Sequence, residues 1–224
     1  MPQLQNFVLK DGHIYALPVG RLARGFHLYA SAFGRERFTI SCAVSLPYVP
    51  DSVGAVLPGL GDRLPILGGR GDQWWEWDPN DEEAEAAMMA DIRTLVLDVG
   101  VPFLKERSTV EAVAERLRRT AEHASDPHVA EALAYSLLLE RDLKGAKEML
   151  RLLRRITLED TERAVWWAEL NESSSDPDDW TIEVGNRGAA VEERLARSPD
   201  DALHLLDEWN AKQRAELRLP NRVK

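Results

Sequence analysis

One short stretch of the chain combines aromatic and acidic side chains. Between positions 72 and 78 it carries Asp72, Trp74, Trp75, Glu76, Trp77 and Asp78. Four more acids follow at 81, 82, 83 and 85, and no lysine or arginine lies between 72 and 85. Tryptophan is a favoured anchor in protein interfaces, and carboxylates attract basic partners. The stretch therefore predicts an acidic, aromatic-rimmed surface that binds a basic protein partner, one rich in lysine or arginine.

The same residues also have a purely structural interpretation. Trp74 or Trp75 could pack between a sheet and a helix, and acids at 81–85 suit the positive end of a helix dipole. The sequence leaves both interpretations open for Glu76 and Trp77.

A second group of residues could do acid–base chemistry. Arg24 and His27 belong to a predicted strand, while Asp72 and Glu76 belong to the acidic stretch. If these segments meet in a cleft between sheet and helix, a histidine and carboxylates could exchange protons with a substrate. The alternative hypothesis is therefore a hydrolase-type enzyme with a dispersed site.

The remaining reactive side chains match no catalytic or metal-binding motif. His123 and His128 do not have the spacing of a metalloprotease pair, and Cys42 lies on the apolar face of a predicted strand. The glycine-rich segment 68–72 is followed by acids rather than by the lysine of a phosphate-binding loop. We predict no motif-defined catalytic residue, no metal and no cofactor.

Composition narrows the class of protein further. The chain has 224 residues, 44% hydrophobic and 29% charged, with a single cysteine, so no intramolecular disulfide can form. Its formal net charge of −10 disfavours binding to nucleic acid, since phosphates would be repelled. No secretory signal or membrane-spanning run is recognisable, and we predict a cytoplasmic protein without a membrane partner.

Hydrophobic periodicity predicts an α+β fold. Segments 6–9, 13–17, 24–33 and 37–46 alternate as strands of an antiparallel meander, with a further short strand at 63–67 and a last one at 74–77. A helix over 82–99 presents an apolar stripe that should cover the sheet, and Gly100 is expected to end it. This N-terminal α+β unit spans residues 1–106.

Residues 107–224 are predicted to be helical, either as a separate unit or packed on the first. Helices are expected from a capping box at 108–111, over 127–140, 142–155, 157–170, 187–196 and 199–217. Residues 130–150 predict an αα-hairpin, and the polar segment 171–179 predicts a linker.

The order of these elements resembles a known family. Strands, then Arg63-Leu64-Pro65-Ile66-Leu67, the paired Trp74-Trp75, a helix and Gly100-Val101-Pro102-Phe103-Leu104 are similar to the bacterial family known as domain of unknown function 4304. The resemblance covers residues 5–120 and departs from the family in the glycine-rich segment 54–71. It implies a small bacterial α+β domain and supplies no catalytic residues.

These observations favour a non-enzymatic interaction protein. Net charge, the acidic tryptophan stretch and the lack of a catalytic motif suit a toxin-immunity or antitoxin-like protein that neutralises a basic partner. A third interpretation makes the helical C-terminal part an oligomerisation arm, and the oligomeric state stays open.

Overall fold

The structure, a computed structural model, describes residues 7–10, 12–32, 34–50, 57–121, 126–170, 179–216 and 218. The strands are β1 (Phe7–Lys10), β2 (His13–Ala16), β3 (Ala23–Ser31), β4 (Gly34–Ser45), β5 (Gly61–Arg63) and β6 (Trp75–Glu76). The helices are α1 (Leu64–Leu67), α2 (Glu82–Leu95), α3 (Val101–Glu106), α4 (Val110–Ala121), α5 (Pro127–Leu139), α6 (Leu143–Leu170), α7 (Asp179–Arg197) and α8 (Pro199–Glu216). The α+β class predicted from the sequence is confirmed.

The strands form one antiparallel sheet in the order β1-β2-β3-β4-β5, with β6 paired to β4. Because successive side chains of a strand point to opposite faces, the sheet has two chemically distinct sides. Phe26 packs against Gly100 on one of them, which we call the helix side. His27 lies on the opposite side, as the alternation in the sequence predicted.

Two predictions about local structure are wrong. Only Gly61–Arg63 pairs as a strand, and residues 64–67 form the short helix α1, with Pro65 in its first turn and Leu64 buried. Gly100 does not end the helix that begins at Glu82, because the helix passes through a π turn at Val96–Gly100 and continues as α3. A Cβ at position 100 would overlap the Phe26 ring, so this glycine allows the helix to approach the sheet.

The helix that begins at Glu82 covers the sheet with its C-terminal part rather than along its whole length. Ile92, Leu95 and Leu104 are buried in the core that also contains Phe26. Residues 82–87 are all exposed, so the first turns of α2 extend beyond the core.

The helical region differs from its prediction in two elements. Segments 142–155 and 157–170 form the single helix α6, in which the Thr157 hydroxyl does not cap a new helix but donates to the carbonyls of Leu153 and Arg154, each at 3.1 Å. Helix α7 begins at Asp179, earlier than expected. Residues 171–178 of the predicted linker lie outside the described residues.

The sheet and the helices share one hydrophobic core. Its main cluster joins Phe26, Cys42 and Leu46 of the sheet region to residues of α4, α5, α7 and α8. Tyr48, after β4, is buried and its hydroxyl lies 2.8 Å from the hydroxyl of Ser136 in α5. Among the described residues, no helix has the length and apolar character needed to cross a membrane.

Candidate functional site

Trp75 is part of the core rather than of a binding surface. It pairs with Phe38 across β4 and β6, and the two ring centroids lie 6.0 Å apart. Its buried indole donates from Nε1 to Asp91 Oδ2 of α2 at 3.0 Å. A buried indole N–H normally finds such an acceptor, so Trp75 fastens the last strand to the helix.

Asp91 collects hydrogen bonds from three side chains. Besides Trp75, Arg70 forms an ion pair with its carboxylate, and Gln73 Nε2 donates to it at 3.4 Å. Burial raises the pKa of Asp91, but these hydrogen bonds and the Arg70 charge outweigh it and lower the pKa below its ordinary value. The carboxylate thereby holds the segment between α1 and β6 against α2.

Arg63 contacts both Asp72 and Trp74. The guanidinium of Arg63 forms an ion pair with Asp72 and lies 5.6 Å from the ring centroid of Trp74. Trp74 is half-buried in this cation–π contact. The charge of Asp72 is therefore compensated within the protein.

Glu76 is compensated in the same way. It is the register partner of Arg37, and Arg37 Nε lies 2.8 Å from Glu76 Oε1 on the exposed surface. Opposite charges placed directly across a sheet attract each other. Glu76 therefore attracts an incoming basic partner less strongly than an unpaired carboxylate would.

Trp77 is the exposed tryptophan of the stretch, with 48% of its surface accessible. Its backbone N–H donates to the Glu36 carbonyl at 2.8 Å, which anchors the chain as it leaves the sheet. Asp78 Oδ1 then accepts from the backbone and side-chain nitrogens of Asn80, at 2.9 and 3.1 Å. Trp77 and Asp78 thus stand at the edge from which α2 begins.

The acids at the start of α2, which we call the acidic helix start, comprise Asp81, Glu82, Glu83 and Glu85. Asp81 caps the helix by accepting from the Ala84 N–H at 2.9 Å. In the part of the chain that the structure describes, Glu82, Glu83 and Glu85 form no ion pair. Glu85 precedes the buried Ile92 by two turns and shares its side of the helix, whereas Glu83 points away.

The residues of the alternative acid–base cleft do not converge. Arg24 lies on the helix side, where its Nη1 donates to the Leu104 carbonyl at 3.1 Å. His27 lies on the opposite side of the same strand, beside His13. Asp72 bonds to Arg63, which lies on the same side of the sheet as His27. Arg63 belongs to β5, however, two strands away from the β3 strand of His27.

His27 occupies an aromatic environment. Its ring centroid lies 4.0 Å from that of His13 and 4.1 Å from that of Tyr29, and its Nδ1 is buried with no hydrogen-bond partner among the described residues. Burial first, and the neighbouring His13 second, lower the pKa of His27. The neutral imidazole is therefore the favoured form at this position.

The other reactive side chains have structural surroundings. Cys42 is buried beneath Gly100, and burial raises the pKa of its thiol to about 12. His128 stacks on Trp180 with ring centroids 4.9 Å apart, while His123 lies outside the described residues. Within the described part of the chain, no three His, Cys, Asp or Glu side chains are grouped as metal ligands.

A row of exposed apolar side chains on the helix side was not recognised from the sequence. Leu9, Ile14 and Leu28, which we call the apolar strip, are 72%, 40% and 51% exposed. Leu9 pairs with Ile14, Ile14 pairs with Phe26, and Leu28 follows Phe26 by two residues. The alternation of β3 places Leu28 on the apolar face, and its exposure shows that the covering helix does not bury it.

Comparison with known proteins assigns no family. No protein-family model matches the chain, and neither a curated protein nor a solved structure is significantly similar to it. The resemblance to domain of unknown function 4304 stays a prediction.

Proposed function

We propose that the protein is a non-catalytic interaction module that binds a basic partner, in the manner of a toxin-immunity or antitoxin protein. The observation that carries this proposal is the acidic helix start. Its glutamates are exposed and form no ion pair with a described residue, whereas Arg63 and Arg37 compensate Asp72 and Glu76. Uncompensated carboxylates retain their attraction for a basic surface and accelerate its approach.

Trp77 supplies the apolar contact that such a surface needs. It is half exposed, and it lies only a short turn before α2. An indole combines a large apolar area with few rotatable bonds, so it contributes to binding at a low entropic cost. We assign Trp77, Asp78 and Glu85 to the recognition surface, and Trp75 to its support.

Photo-crosslinking tests the position of this surface. A photoreactive phenylalanine analogue at position 77 is compared with one at position 180, where Trp180 has a similar exposed fraction of 41% on the helical region. In extract of cells that express the protein, we expect a discrete adduct from position 77 whose captured peptides are rich in lysine and arginine. Equal adducts from both positions contradict the proposal.

A charge-reversed pair of variants tests the role of the carboxylates. Glu85→Lys reverses a charge on the side of α2 that also carries Ile92. Glu83→Lys makes the same change of charge on the opposite side of the helix. We expect Glu85→Lys to abolish the adduct at 77 and Glu83→Lys to retain most of it. If both variants crosslink like the wild type, electrostatic recognition by this helix is wrong.

A further inference from the structure

We propose that His13 and His27, which we call the histidine pair, form a binding site for a divalent transition-metal ion on the side of the sheet opposite the helix side. The sequence shows no metal motif there, because the two histidines lie on different predicted strands and share no ligand spacing. The pairing of β2 with β3 brings them together. Neither histidine belongs to the acidic recognition surface, so the site goes beyond the proposed function.

The rings of the histidine pair are already in contact. His13 and His27 are register partners, so both side chains leave the same side of the sheet from neighbouring strands, with Cβ atoms roughly 5 Å apart. Their ring centroids lie 4.0 Å apart, and the ring planes are tilted by 31°. Two imidazole nitrogens bound tetrahedrally to one Zn²⁺ at about 2.0–2.1 Å lie roughly 3.4 Å from each other. Rotation about the side-chain bonds therefore directs both rings at one ion without a shift of the strands.

His27 has a nitrogen that lacks a partner. Its Nδ1 is buried and has no hydrogen-bond partner among the described residues. Such an atom is exceptional in a folded protein, and a bound water or ion is one way in which it is satisfied. A metal ion bound at Nδ1 would provide the missing partner. Since burial and His13 also lower the pKa of His27, its imidazole is held in the neutral form that binds metals.

The neighbours of the histidine pair leave room for a cation. Lys10 is the register partner of His13, but its ammonium group donates to the Arg218 carbonyl and is thereby directed away from the pair. Ser41, the register partner of His27, is polar and uncharged. Both histidines are only partly buried, so an ion reaches them from solvent.

The ligand type determines which ions fit. Imidazole nitrogens suit Zn²⁺, Cu²⁺ and Ni²⁺, whereas Mg²⁺ and Ca²⁺ prefer oxygen ligands. With two protein ligands, the remaining coordination positions are filled by water or by a side chain of a partner. The ion would connect β2 to β3 near the start of the chain, and it should raise the melting temperature because it binds only the folded pair.

Paramagnetic broadening on the wild-type protein locates the ion without any substitution. Cu²⁺ broadens the NMR signals of the groups that bind it. We expect substoichiometric Cu²⁺ to remove the imidazole signals of His13 and His27 before those of His204. His204 is the matched control, because its Nε2 lies 3.2 Å from Glu208 on the surface of α8, which makes it the competing imidazole–carboxylate pair. Mg²⁺ should leave all of these signals unchanged.

Variants test the contribution of each ring. His13→Gln and His27→Gln should each weaken Zn²⁺ binding, measured by calorimetry, by about tenfold or more, because one of two protein ligands is lost. Each should also abolish the rise in melting temperature that Zn²⁺ causes in the wild type. His204→Gln should bind Zn²⁺ like the wild type. Circular dichroism without metal checks the fold of each variant, and the NMR experiment applies if neither folds.

Two results would overturn the site. One is broadening that begins at His204 or affects the histidines to the same extent, which would mean that Cu²⁺ binds the surface without preference. The other is Zn²⁺ affinity that persists in both folded variants of the histidine pair. Crosslinking from position 77, carried out with a chelator present, tests the acidic surface separately, so failure of the metal site is distinguishable from failure of the proposed function.

Discussion

Trp75 Nε1 and Asp91 Oδ2 are joined by a hydrogen bond of 3.0 Å that ties the last strand of the sheet to helix α2. The same carboxylate binds Arg70 and Gln73, so the segment before β6 and the helix are held in one arrangement. Trp75, which the sequence suggested as a recognition residue, therefore has a structural role. It orients the helix whose acidic start we assign to partner binding.

The first prediction concerns Asp91. Asp91→Asn keeps the shape of the side chain and loses its charge, and we expect the free energy of unfolding at neutral pH to fall by about 1 kcal/mol. Because folding lowers the pKa of Asp91, its stabilisation is present above the unfolded value of about 3.9 and is lost as the pH falls through the folded pKa. Urea unfolding should therefore show a difference at pH 7 that is smaller at pH 3.

Asp98→Asn provides the control, because Asp98 is exposed in the same helical run. It should unfold like the wild type at both pH values. A deficit of Asp91→Asn that is equal at both would contradict a role for the charge.

The second prediction concerns His27. Since folding lowers the pKa of its imidazole, the unfolded chain binds more protons, and stability falls as the pH drops below the unfolded value of about 6.5. His27→Phe keeps an aromatic ring against His13 and Tyr29 but cannot be protonated. We expect its melting temperature to change less between pH 7 and pH 5 than that of the wild type.

His204→Phe is a suitable comparison, because the His204 side chain is 70% exposed on α8. It should leave the pH dependence of melting unchanged. Identical slopes for His27→Phe and the wild type would show that this histidine does not carry the effect.

The third prediction concerns the buried ion pair between helices α5 and α7. Glu131 is fully buried, and it accepts from Arg187 Nε at 2.7 Å and from the Tyr135 hydroxyl at 3.1 Å. Arg187→Met leaves a buried carboxylate without its cation and should destabilise the protein by about 3 kcal/mol in urea unfolding. Replacing both, with Glu131→Leu, should recover part of that loss.

The surface pair of Arg118 and Glu115, at 2.9 Å, supplies the contrast. Arg118→Met should have an effect well below that of Arg187→Met, because exposed pairs are screened by solvent. Comparable losses for the two substitutions would mean that burial does not govern the strength of the Glu131 interaction.

The fourth prediction concerns Gly100. A methyl group there would overlap the Phe26 ring and lie 2.9 Å from Leu64 Cδ2, so Gly100→Ala must displace helix or sheet. We expect a loss of about 2 kcal/mol, typical of overpacking, measured by chemical unfolding. Gly20→Ala, where nothing lies within 4 Å of the added carbon, should be close to neutral. Equal effects at the two positions would contradict the close approach.

Local patterns predicted the elements that depend on local chemistry. The alternation over β3 and β4 gave the correct faces for Phe26 and His27, and the helix predicted over 127–140 is α5, which Asp126 caps. Of two errors, one falls where a distant contact overrides a local signal, and the other where a hydroxyl that could cap a helix bonds within the preceding turn instead. Gly100 reads as a helix stop, but the approach of Phe26 requires a glycine inside the helix, and Thr157 reads as a helix start although its hydroxyl is satisfied within α6.

The acidic tryptophan stretch shows most clearly which properties follow from the sequence and which follow from the tertiary structure. The sequence by itself determined its composition, the start of α2 and the position of three indoles beside seven carboxylates. Only the tertiary structure decided that Trp75 is buried, that Arg37 compensates Glu76, and that Glu85 remains without an ion pair to a described residue. The reason is physical: burial and charge compensation depend on which side chains lie opposite in space, and Arg37 and Glu76 are neighbours only because β6 pairs with β4.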